Sequence, residues 1–110
     1  MQSQAAIEKL QEIIKKSNKK FDSEWISSQL LAVRELAKEE KDPTVIKILR
    51  LASEFIQENE HFDLGFFEEE EEEMEISEFE YLLQLIIQAE KPANREEITL
   101  FRDLLWASLY

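Results

Sequence analysis

The chain has 110 residues, 44% of them hydrophobic and 35% charged, with a formal net charge of −12; this is the length and balance of one small globular domain. With no cysteine, one glycine and one histidine, it has no disulfide, no thiolate metal site and no thiol nucleophile, and it can form no glycine-rich phosphate or dinucleotide loop. A nucleophile elbow, which needs two glycines around its serine, is excluded on the same ground, and no serine is spaced to build a triad on His61.

Hydrophobic periodicity and breaking signals predict a compact all-α bundle of four to five helices. The first spans about residues 3–17, with Ala6, Ile7, Leu10, Ile13 and Ile14 on one face. Lys15, Lys16, Lys19 and Lys20 crowd its C-terminal end, where cations complement the helix dipole. The second spans about 23–41. Asp22 caps it, Phe21 and Ile26 form a hydrophobic staple, and Ile26, Leu30, Val33 and Ala37 make its buried stripe, widened by Trp25 and Leu36.

Asp42-Pro43 closes that helix and opens the next, because proline suits the first helical position behind an Asp cap. The third helix, about 43–59, turns Val45, Ile48, Leu49, Ala52, Phe55 and Ile56 inward. An Asp-Pro turn between two apolar helices is similar to the paired helices of HEAT-type repeats. No second copy follows at a fixed period, so no repeat is assigned.

Ser77 with Glu80 is a capping box, and Ile76 with Tyr81 its staple. They start a fourth helix at about 78–90 with Phe79, Leu82, Leu83 and Ile86 inward. Continued upstream, that helix would point Glu75, Glu72, Glu71 and Glu68 along its core face, so residues 60–76 are expected to be a loop outside the core. Pro92 and an Asn94–Glu97 box open the fifth helix, about 95–109, which carries Ile98, Phe101, Leu105 and Leu109 inward. The whole chain, 1–110, is expected to form a single domain.

The charge is concentrated. Residues 1–41 carry a net +1, residues 42–60 a net −2, residues 61–90 a net −11 with no base, and residues 91–110 are neutral. A direct nucleic-acid binder shows a basic stripe that neutralises phosphates; here the asymmetry is acidic, so no direct nucleic-acid contact is expected. The most apolar stretch, Leu82 to Ile87, is interrupted by Gln84 and falls far short of the roughly 20 residues a membrane span needs. With no cationic start and apolar run at the N-terminus, a cytosolic protein without membrane contact is expected.

Four features are candidate sites. The run Glu68, Glu69, Glu70, Glu71, Glu72 and Glu73 reads either as a solvated linker or as an acidic contact for a basic protein surface. It does not fit a calcium loop, because the pattern placed on Gly65 puts Phe62 and Leu64 at ligand positions. Phe62, Phe66 and Phe67 beside Gly65 read either as an aromatic cluster capping the bundle or as a presented binding anchor. Glu58-x-x-His61 has the spacing of a di-iron bundle ligand pair on one helix face, but such a site uses the motif on two helices and the chain has one histidine. Trp106 and Tyr110 close an amphipathic last helix, either docked on the core or forming a homodimer surface.

These features favour a small interaction module, an adaptor or assembly factor, that presents an acidic, aromatic-rich loop to a basic partner protein. The alternative is an acidic decoy that occupies the nucleic-acid site of another protein. Consecutive helical glutamates present a charge every ~1.5 Å, close to the ~1.7 Å of duplex DNA, although they wind around the helix instead of forming two rows. Neither reading is enzymatic, and neither needs a cofactor or metal.

Overall fold

The computed structural model describes residues 1–67 and 76–110. These residues form five α-helices: α1 (Gln4–Lys19), α2 (Ser23–Ala37), α3 (Pro43–Asn59), α4 (Glu78–Ile87) and α5 (Pro92–Leu109), an all-α bundle as expected.

Local chemistry sets most boundaries. Ser3 accepts from the Ala6 N–H, Asp22 from Trp25, Asp42 from Val45 and Ser77 from Glu80, so four helices begin on a side-chain cap. α2 ends at Ala37, the last residue of its apolar stripe and four residues before its expected end, and a 3-10 turn over Lys38–Glu40 follows. Lys41 then takes a left-handed conformation, φ 55°, which turns the chain into Asp42. α3 closes the same way at Glu60, φ 60°. α5 starts at Pro92, three residues before its expected start at about 95. Pro92 already has helical geometry, and Asn94 lies within the first turn and donates its side-chain amide to the Gln88 carbonyl.

Each helix packs on two others. The order around the core is α1, α2, α3, α5, α4 and back to α1. The arrangement departs from chain order at one place, where α5 lies between α3 and α4. The contacts Asp42–Arg95, Lys47–Trp106 and Glu54–Tyr110 follow each other in the same order along α3 and α5. The two helices therefore run in the same direction, and α4 carries the chain back between them. The chain leaving α3 passes α5 at Phe62 and Phe66 and meets the first residue of α4 at Leu64 and Phe67.

Leu10, Ile26, Leu30, Ile48, Leu49, Ile56, Leu82, Leu83, Ile98, Phe101 and Leu105 are fully buried in one contiguous cluster. α3 also buries Leu51 and Ser53 beyond its expected stripe, because it is covered by α2 on one side and α5 on the other. Ser53 donates across the tight α2–α3 crossing to the Ser27 carbonyl at 3.0 Å, so its buried hydroxyl is satisfied. The radius of gyration is 12.9 Å, matching the ~13 Å typical of this chain length. Among the described residues, no helix is long and apolar enough to cross a membrane.

Candidate interaction site

The segment after α3 forms a strap over α4 and α5. Glu60 ends α3 in the left-handed region, so His61 lies beyond the helix. Its ring meets Phe55 edge-on at 5.8 Å. The helix ends before His61, so Glu58 and His61 do not share a helical face. Among the described residues, no three His, Cys, Asp or Glu side chains gather as a metal site would require.

Phe62 follows and is 8% exposed, its ring between Phe55 at 5.8 Å, Phe79 at 5.3 Å and Phe101 at 6.3 Å. It plugs the gap where the strap crosses between α3 and α4. A presented anchor at Phe62 is therefore corrected: the ring belongs to the core, because three helices leave an aromatic-sized space there.

The strap then turns tightly. Asp63 accepts from the Gly65 N–H at 3.2 Å, and Gly65 sits at φ 72°, a conformation that glycine adopts without steric cost. Phe66 stacks on Phe101 with centroids 4.0 Å apart and planes 9° from parallel. Phe67 meets Phe66 at 5.6 Å and Tyr81 at 5.4 Å. The Tyr81 hydroxyl donates to the Glu97 carboxylate at 2.6–2.7 Å, tying α4 to α5 beneath the rings. Phe66 and Phe67 are half-buried.

One residue that periodicity did not single out fixes this segment. Glu78, the first residue of α4, accepts from the Leu64 N–H at 2.7 Å and from the Phe67 N–H at 3.2 Å. A carboxylate at a helix N-terminus is favoured by the dipole, and this one also satisfies two loop amides. The acid in the first turn after Ser77 was a visible signal, but nothing local shows that its side chain reaches back over ten residues. Glu80 of the capping box likewise looks outward, accepting from the Asn18 side chain at 2.7 Å.

Phe66 and Phe67 thus converge with Tyr81, and the acidic stretch leaves the described structure just beyond Phe67. Glu68 to Glu73 lie outside the described residues. The ends of the segment are fixed, with Phe67 held by Glu78 and Ile76 next to the Ser77 cap.

Trp106 and Tyr110 form a second, separate group along α3. Their rings lie 4.5 Å apart. Lys47 places its ammonium 4.6 Å from the Trp106 ring, and the Tyr110 hydroxyl donates to Glu54, which also accepts from Arg50. Both residues remain exposed, Trp106 at 47% and Tyr110 at 69%.

At the start of α3, Asp42 pairs with the Arg95 guanidinium through two contacts, one of 2.9 Å. The hydrogen bond from Arg95 holds the Asp42 carboxyl below its ordinary range against the opposing effect of burial, and the Val45 amide adds to the lowering. A concavity of about 370 Å³ beside this pair is lined by Met1, Gln2, Glu39, Glu40, Asp42, Glu90 and Arg95. Several of its charges are already matched, including the Met1 ammonium on Glu90 at 2.6 Å.

Compared with known proteins, the chain matches no family model, no curated protein and no solved structure.

Proposed function

We propose that the protein is a small interaction module, an adaptor or assembly factor, whose acidic stretch engages a basic surface on a partner protein. The observation carrying this reading is the placement of the excess charge. Residues 61–90 hold a net −11, and the described parts of that stretch are fastened to the bundle by Glu78 and by the stacked rings of Phe66 and Phe101. A charge block anchored at both ends to a packed frame raises encounter rates with a basic surface and biases its orientation. The half-buried Phe66 and Phe67 rings lie beside the run and supply apolar contact area. The reading keeps the non-enzymatic role and the cytosolic setting expected from the sequence.

The test is capture from lysate at low and high salt with the wild-type chain and a variant carrying Gln at residues 68–73, with bound proteins identified by mass spectrometry. Basic proteins retained by the wild type at low salt, and lost with the variant, are the expected result. Retention of the same proteins by both chains contradicts the reading. A captured set of nucleic-acid-binding proteins that added DNA releases would replace it with the decoy.

A further inference from the structure

Among the described residues, four of the five large hydrophobic side chains that remain exposed lie on α5 or at its C-cap: Leu100, Leu104, Trp106 and Tyr110. Leu31 on α2 is the fifth. α5 already buries Ile98, Phe101 and Leu105 on its inner side, so it is apolar on two faces. Trp106 and Tyr110 have partners on α3. Leu100, 55% exposed, and Leu104, 37% exposed, form part of a line with the exposed Ala93 and Ala107.

The geometry of that line is regular. Ala93, Leu100, Leu104 and Ala107 are separated by seven, four and three residues. At 3.6 residues per turn they fall within about one sixth of the helix circumference, along an axial length of ~21 Å. This is the spacing by which one helix reads another laid beside it. The flanks are acidic. Exposed Glu96 and Asp103 border the line on one side, Asp103 leaning toward its neighbour Arg102 at 3.3 Å. Glu97 borders it on the other and receives the Tyr81 hydroxyl.

We propose that this outward face of α5 is a docking surface for an amphipathic helix of a partner protein, one whose apolar stripe is flanked by lysine or arginine. The charge pattern selects that occupant. A second copy of the chain is opposed, because antiparallel pairing sets the Glu96–Asp103 edge against itself and parallel pairing sets it against Glu97, so carboxylates meet carboxylates either way. An anionic lipid surface is opposed by the same flanks and by the net charge of −12. A basic amphipathic helix gains apolar burial against Leu100 and Leu104 and complementary charge along both edges. The inference deepens the interaction-module reading, and rests on it in taking the partner to be a basic protein.

The test removes the other acidic surface. The full chain with Gln at residues 68–73 is titrated with a synthetic 18-residue helix bearing leucines on one face and lysines on both flanks, followed by backbone amide NMR. Shift changes centred on Ala93, Glu96, Leu100, Asp103, Leu104 and Ala107 are expected. Leu100→Gln with Leu104→Gln, exposed positions that leave the core intact, should weaken binding about tenfold or more. Glu96→Lys with Asp103→Lys should weaken the lysine-flanked peptide and strengthen one flanked by glutamates.

Shift changes centred elsewhere, an affinity indifferent to the leucine pair, or a charge reversal without effect overturns the proposal. So does a concentration-dependent dimer abolished by Leu100→Gln, which would make the occupant a second copy. Failure here leaves the role of residues 68–73 intact, since their charges are absent from the assay.

Discussion

Asp42 does two things with one carboxylate. It caps α3 through the Val45 amide and it pairs with Arg95 at the start of α5. Its side chain is 22% exposed and that of Arg95 36%, so water screens the pair and its contribution is modest. Because the folded carboxyl lies below its ordinary range, the stabilisation is fully present above the unfolded value of about 3.9 and is lost as pH falls through the folded one. Asp42→Asn keeps a capping oxygen and loses the charge, and should cost up to about 1 kcal/mol at neutral pH. Asp42→Ala loses the cap as well and should cost about 1 kcal/mol more. Urea melts across pH would show the gap between wild type and Asp42→Asn closing in acid; a pH-independent gap would mean that the charge contributes nothing. The cap was legible from Asp-Pro alone. Arg95 was not, because its partner lies 53 residues away and no spacing rule connects them.

At the scale of elements, the strap from His61 to Phe67 depends on Glu78. Glu78→Gln keeps one acceptor oxygen where the carboxylate offers two, and weakens both bonds by removing the charge. The change should cost about 1–2 kcal/mol and speed amide exchange selectively at Leu64 and Phe67. Exchange rates unchanged at those two amides would show that the aromatic packing alone holds the strap. The helices themselves were readable because each has a strong apolar period and four have a side-chain cap. α3 matched its expected span from Pro43 to Asn59, bounded by a proline and a left-handed residue. Two boundaries shifted through short-range turns that apolar periodicity does not register: the 3-10 turn before Lys41, and Asn94 bonding back to Gln88 instead of capping. The burial of Phe62 was not readable, since nothing local marks which of three nearby phenylalanines meets Phe55, Phe79 and Phe101.

At the scale of the molecule, the helix order and the charge distribution belong together. Placing α5 between α3 and α4 takes the chain leaving α3 past α5, and it meets the first residue of α4 at Leu64 and Phe67, just before the acidic stretch in the sequence. Among the described residues, the buried cluster is drawn from the five helices, their turns, Met1 and Phe62. Glutamine at residues 68–73 should therefore preserve the helical circular dichroism, and stability should hold or rise as self-repulsion falls.

The central claim is that these six charges recruit a basic partner. It is tested most directly by the association rate constant for a captured partner, measured against salt for the wild type and the six-glutamine variant. Exposed charges act over about a Debye length and chiefly set encounter, whereas short-range contacts set residence time. Association should slow and its salt dependence flatten, with dissociation nearly unchanged. Equal association rates for the two proteins at low salt, with equal salt slopes, would contradict the account.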